Sequence, residues 1–148
     1  RLKQLKICGW RYDGFFMQID NMKSYYEGNL SLIKPEVRKS LFTADDPIYT
    51  KVRDEAPAKY GLDANVKNVV AADGCIIEGT VENSVLFRGV KIKKGAIVRN
   101  SVIMQDTVIG EGADINYVIT DKKVLISDKR TLIGTENYPI FVKKGASI

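Results

Sequence analysis

Between residues 86 and 119 the chain repeats at a spacing that neither a helix nor a plain strand uses. Aliphatic residues stand six apart at Leu86, Ile92, Val98 and Met104; one residue is skipped, and the series resumes at Ile109 and Ile115. Four residues after each comes a second small or apolar residue: Val90, Ala96, Val102, Val108, Ala113 and Ile119. Helical side chains recur every 3.6 residues and strand side chains every two, so neither period organises this region. A period of six is the mark of a parallel β-helix, in which each hexad supplies one short strand and one corner. Three hexads close a triangular coil, which stacks equivalent side chains roughly 18 residues apart. Gly89, Gly95, Gly110 and Gly112 fall between the aliphatic positions, where corners need positive φ. A sandwich with two-residue alternation leaves the five- and six-residue steps unexplained.

The ladder predicts a mainly β domain over residues 66–148, with roughly four coils between Val66 and Gly134. It is irregular before Gly79 and around Asp121–Val124, where loops or imperfect coils are expected, and residues 136–148 read as the cap a solenoid end requires. Residues 34–65 carry Pro35, Pro47 and Pro57 and no sustained period, which predicts a linker. A short helix from Pro35 to about Leu41 is expected within it, since proline suits a first helical turn. Residues 1–33 predict a hairpin turning at Asp13–Gly14, then a helix capped by Asp20 or Asn21. The apolar face of that helix holds Met22, Tyr25, Tyr26, Leu30 and Ile33. So short a piece has too little core to stand alone. It needs the solenoid or a further domain to cover it, and the chain is expected to be part of something longer.

Composition narrows the chemistry. The 148 residues contain no histidine, which removes the commonest general base and the commonest zinc ligand. That argues against an acyltransferase of the hexapeptide-repeat class, which generally deprotonates its acceptor with a histidine. It argues equally against a γ-type carbonic anhydrase, for want of zinc ligands. Cys8 and Cys75 lie far apart without metal spacing and predict reduced thiols of a cytoplasmic protein. The net charge of +5 permits anionic partners, but the basic residues are interspersed with acidic ones. Nucleic acid is therefore not an expected partner. Nor is a membrane, since no apolar run approaches the length of a spanning helix.

"YDGFFMQIDNMKSYYEGNLSL" (residues 12–32) resembles the end of the catalytic domain in glucose-1-phosphate adenylyltransferases. That family reads F-D-G-Y-W-x-D-[VI]-G-T-x-x-[SA]-[YF]-[YFW]-E-A-N-[LM]-x-L. "PIYT" (47–50), "PAKYG" (57–61), "ADGCIIEGTVENSVLFRGVKI" (72–92) and "VIMQDTVIGEGA" (102–113) extend the resemblance over nearly the whole chain. It implies a left-handed β-helix preceded by a small α/β remnant of a nucleotidyltransferase domain and a linker.

The departures matter as much. In the catalytic family the aspartate of D-[VI]-G-T is a ligand for Mg²⁺; here that position is Gln18, and the Gly and Thr become Asp20 and Asn21. A neutral amide offers an oxygen without the charge that balances metal and phosphates. Only Asp20, two residues on, is placed to compensate. A degenerate motif on this scaffold is similar to the D-type glycogen-biosynthesis subunit of Gram-positive bacteria. That resemblance implies a non-catalytic chain with no cofactor in this region, serving assembly and regulation beside a catalytic C-type subunit in a hetero-oligomer. The alternative is part of an active enzyme making ADP-glucose from ATP and glucose 1-phosphate. The family's effectors are anionic, and Arg88, Lys91, Lys93, Lys94, Lys143 and Lys144 are the candidates to bind them.

Overall fold

The computed structural model describes residues 5–45, 47–50 and 53–148. The first four residues of the N-terminal piece, and 46, 51 and 52 of the linker, lie outside them. Two helices, α1 (Met22–Ser31) and α2 (Pro35–Leu41), precede thirteen strands. Among the described residues all strand pairings are parallel, as coiling in one direction requires.

Three stacks make the solenoid. On one side lie β1 (Lys59–Tyr60), β3 (Ile76–Ile77), β5 (Lys91–Ile92), β8 (Val108–Ile109) and β11 (Leu125–Ile126). β2 (Asn65–Ala71) and β4 (Thr80–Leu86) each turn a corner, at Asn68 and Asn83, where φ is 56° and 46°. The first half of β4 pairs with β6 (Ile97–Arg99), followed by β9 (Asp114–Asn116) and β12 (Thr131–Ile133). Its second half pairs with β7 (Val102–Ile103), followed by β10 (Val118–Thr120) and β13 (Ile140–Val142). The registers Thr80↔Ile97↔Asp114↔Thr131 set a coil of 17 residues, two hexads and one pentad; the step Asn65↔Thr80 is shorter by two residues and Val118↔Ile140 longer by five.

The pentad explains the skipped residue and corrects its place. Ile103, fully buried, occupies the interior position expected of Met104, which is half-buried. The interior columns are Ile77–Ile92–Ile109–Ile126, Val81–Val98–Ile115–Leu132 and Leu86–Ile103–Thr120–Val142. Val90, Ala96 and Ala113 lie inside as expected, but Val108 faces out between Lys91 and Leu125, and Thr107 is buried in its stead. Thr107 and Thr120 meet the polar demand of that site, their hydroxyls 3.4 Å apart and Thr107 donating to the Asp121 carbonyl. Ser84 and Ser101 form a similar ladder, each hydroxyl accepting a backbone N–H from the next coil at 3.1 Å.

Other expectations change. No strand forms over residues 5–19: Leu5, Ile7, Trp10, Tyr12 and Phe16 are exposed, and a hairpin with no third element to pack on is marginal. β1 brings part of the expected linker into the solenoid, before Val66. The segments before Gly79 and at Asp121–Val124 are in register, the latter turning at Lys123 with φ 58°. The end of the chain continues the solenoid instead of capping it, through β13 and a bridge between Leu125 and Ser147. Helix α2 has the expected bounds. Cys8 is exposed and Cys75 buried, both as free thiols.

Asn21 caps α1: its side chain accepts from Ser24 N–H, and the Ser24 hydroxyl accepts from Asn21 N–H. The helix lies over the outer face of β4 and β7. There Val102 and Ile119, expected inside, point outward and are buried against Tyr26. Tyr26 is 2% exposed, and its hydroxyl donates to the Asn100 carbonyl at 2.6 Å. The N-terminal piece is thus seated on the solenoid by one apolar rung stack, by the Tyr26 hydrogen bond and, at the surface, by Lys23 Nζ donating to Asn137 Oδ1 at 3.2 Å.

Candidate functional site

Two places gather chemistry-bearing side chains. The first is around Gln18, which lines a cleft of about 280 Å³ with Phe15, Phe16, Met17, Ser24 and Glu27. Asp20 is elsewhere engaged. Its Oδ1 accepts from Asn21 Nδ2 at 2.7 Å and from the Ser24 hydroxyl at 3.1 Å, bracing the start of α1, where a carboxylate also suits the helix dipole. Gln18 is neutral, and among the described residues no three or more metal-ligating side chains lie together.

The second place is a solenoid corner. Backbone bonds from Gly89 to Asp73, Asp106 to Arg88, Lys123 to Gln105 and Gly145 to Lys122 stack successive coils there. Side chains 17 residues apart, Arg88, Gln105 and Lys122, therefore rise in one column. Arg53 and Lys123 join them around a cleft of about 380 Å³, whose lining holds four cations and the carboxylate of Asp106; Arg53 is itself paired with Glu55 at 3.9 Å. Gln105 Oε1 is buried and has no partner among the described residues. Such a concentration of positive charge is suited to an anion, since guanidinium groups bind anions as forks and ammonium groups as point charges.

The six basic candidates separate accordingly. Arg88 lies in the cleft, and the 143–145 turn carrying Lys143 and Lys144 is bonded to Lys122 below it. Lys93 pairs with Asp128 at 3.7 Å and Lys94 with Asp63 at 3.6 Å, so both face carboxylates at another corner. Lys91 stands on the flat face of β5, outside the cleft. Arg53, Lys122 and Lys123 were not among the candidates. The signal for Lys122 was present, because the coil length places it beneath Arg88. Arg53 comes from the irregular linker and carries no periodic signal.

A family model for the GlmU-like C-terminal hexapeptide matches residues 56–138. The chain belongs to that family. Its hexapeptide coils are the ones built by β1 to β12 and their corners. Among similar proteins, a glycogen biosynthesis protein GlgD of Bacillus subtilis (strain 168) is 43% identical over 141 residues, covering 95% of this chain and 41% of the relative. GlgD of Geobacillus stearothermophilus is 48% identical over 143 residues, covering 97% and 42%. A glucose-1-phosphate adenylyltransferase of Clostridium perfringens (strain SM101 / Type A) is 39% identical over 105 residues, covering 70% and 27%. The D-type resemblance is thereby supported at high identity. The chain spans about two fifths of the length of the GlgD relatives it matches. Among the described residues no helix is long and apolar enough to cross a membrane.

Proposed function

We propose that this chain is the C-terminal part of a regulatory, non-catalytic subunit in glycogen biosynthesis, which assembles with a catalytic C-type adenylyltransferase subunit and tunes its rate. The observation that carries the reading is Gln18, together with an Asp20 that is committed to the helix cap. The segment resembles the family's motif in sequence but carries the neutral Gln18 where the family has a metal-binding aspartate. The names of the GlgD relatives support the pathway. The full-length protein assayed with ATP, glucose 1-phosphate and Mg²⁺ is expected to be silent alone and to change the rate or effector response of the C-type partner when mixed with it. Activity alone at the level of the C-type enzyme would replace this reading with that of a Gln18-tolerant enzyme. Gln18→Asp is expected to leave the tuning of the partner intact, because the substitution lies away from the solenoid corner.

The corner cleft gives the regulatory role a physical basis. An anionic effector held by Arg88 and Lys122 would add a link between coils at this corner, beyond their backbone bonds and interior packing. Losing one hydrogen bond to a charged group costs about 1.5–3 kcal/mol, so Arg88→Ala with Lys122→Ala is expected to weaken inorganic phosphate binding by roughly tenfold or more. Lys93→Ala with Lys94→Ala, at the carboxylate-paired corner, is expected to leave it unchanged. Equal affinity in all variants by calorimetric titration would remove the cleft as the effector site.

A further inference from the structure

A third cleft, of about 310 Å³, opens where α1 meets the solenoid, and its chemistry differs from the other two. Tyr26, Leu30 and Tyr117 give it apolar walls; Glu27, Ser31, Lys34 and Glu136 supply polar groups. We propose that it binds a neutral pyranose ring, a unit of an α-glucan.

The first argument is a residue that its own corner does not call for. At this corner successive coils place Asn68, Asn83, Asn100 and then Tyr117, all in the left-handed region, with φ of 56°, 46°, 44° and 53°. Asparagine tolerates that conformation and tyrosine does so poorly. The asparagines also bond to one another, Asn68 Nδ2 to Asn83 Oδ1 at 2.7 Å and Asn83 Nδ2 to Asn100 Oδ1 at 3.4 Å. At the last rung Asn100 Nδ2 donates to Asn116 Oδ1 instead, at 3.0 Å. Asn116 completes the ladder and leaves position 117 open to a ring. Part of the Tyr117 ring covers the Tyr26 cluster, but the residue stays half-exposed in the cleft. Its backbone is held firmly, with Ile140 N–H donating to its carbonyl at 3.0 Å and Gly134 so close that a Cβ there would strike that oxygen.

The second argument is charge. Two carboxylates, Glu27 and Glu136, face the Lys34 ammonium, and Glu27 is also paired with Lys23 at 3.8 Å. Glu136 and Lys34 form no ion pair among the described residues. The charges therefore balance, and the cleft lacks the cluster of cations that a sugar phosphate would need, unlike the corner cleft. A pyranose presents a flat C–H face to an aromatic wall and a rim of hydroxyls, which carboxylates accept strongly and an ammonium or serine completes. A cleft of this size, apolar with few polar groups, suits one ring with its neighbours in solvent. The choice of an α-glucan rests on the glycogen reading; the choice of a neutral polyhydroxyl ring rests on the cleft.

Maltotriose titrated into the full-length protein by calorimetry is the test, with glucose 1-phosphate and spermidine as comparison probes. Maltotriose is expected to bind weakly, and Tyr117→Asn to bind it up to about tenfold more weakly, the worth of one aromatic contact. Glu136→Gln is expected to weaken it also. Tyr117→Asn should fold, since asparagine fills the three preceding rungs, and its melting temperature reports that directly. No maltotriose binding, equal affinity in both variants, or preference for spermidine or glucose 1-phosphate at this cleft would overturn the proposal. If modulation of the C-type partner survives in both variants without glucan, the regulatory reading stands whichever way the titration falls.

Discussion

Ile109→Asp is expected to abolish cooperative folding of the solenoid, while Val108→Asp one residue away is tolerated. Ile109 is 0% exposed and stacks between Ile92 and Ile126 in the innermost column. A carboxylate there has no water, and the column offers it no donor, so the cost of burying it exceeds the margin of a small domain. Val108 lies on the same strand with its side chain outward between Lys91 and Leu125, where an aspartate meets solvent and a lysine. Ile109→Ala tests the same point more gently, with an expected loss of about 2–5 kcal/mol from lost burial and the cavity left behind. Val108→Ala is expected to cost about 0.5 kcal/mol or less, as at other surface positions. Urea unfolding of the four variants gives the ranking. Similar losses at 108 and 109 would mean that the strand faces are assigned the wrong way round.

That pair also shows where sequence reasoning reached its limit. The period of six was visible because the interior accepts only apolar or hydrogen-bonded side chains, which leaves a regular trace along the chain. Which residue of an adjacent apolar pair points inward was not visible, because Val108-Ile109, Val102-Ile103 and Ile103-Met104 are all aliphatic. The one-residue step of the pentad decides it, and a pentad and a hexad look alike wherever both candidate residues are apolar. Val102 and Ile119 were misplaced for a further reason: they are buried, but by α1 from outside, so their hydrophobicity reports a tertiary contact far away in sequence. The hairpin over residues 5–19 failed conversely. Its β-branched and aromatic residues signal strand only if something covers one face, and here they are exposed.

The candidate sites divide in the same way. Gln18 was legible as a departure from a motif, and the structure adds that Asp20 is engaged in the cap. The corner cleft was half legible: Arg88 was named, but Lys122 needed the coil length, and Arg53 needed the path of an aperiodic linker. Tyr117 was invisible. Its oddity is a backbone angle, and only the column of asparagines above it makes the tyrosine stand out.

Tyr26→Phe is expected to loosen α1 from the solenoid without unfolding the coils. The hydroxyl is the one polar contact of a buried ring, and its removal leaves the Asn100 carbonyl without that donor, at a cost of about 1–3 kcal/mol. Hydrogen exchange should rise across α1 and stay unchanged in β7 and β8, whose amides are held by neighbouring coils. Tyr26→Ala, which also empties the space over Val102 and Ile119, is expected to cost about 3–5 kcal/mol and to release the helix altogether. The contact also has a pH signature. Burial, with a smaller contribution from Tyr117 and Glu136, raises the Tyr26 phenol well above its ordinary value of 10.0. The docked state therefore holds the proton more tightly than the released one, so docking is unaffected below that value and weakens as pH rises through and beyond it. Tyr26→Phe removes that dependence along with the hydrogen bond. Alkaline release of α1 that persists unchanged in Tyr26→Phe would show that another group, Tyr25 first, whose phenol is also raised by burial, controls the contact.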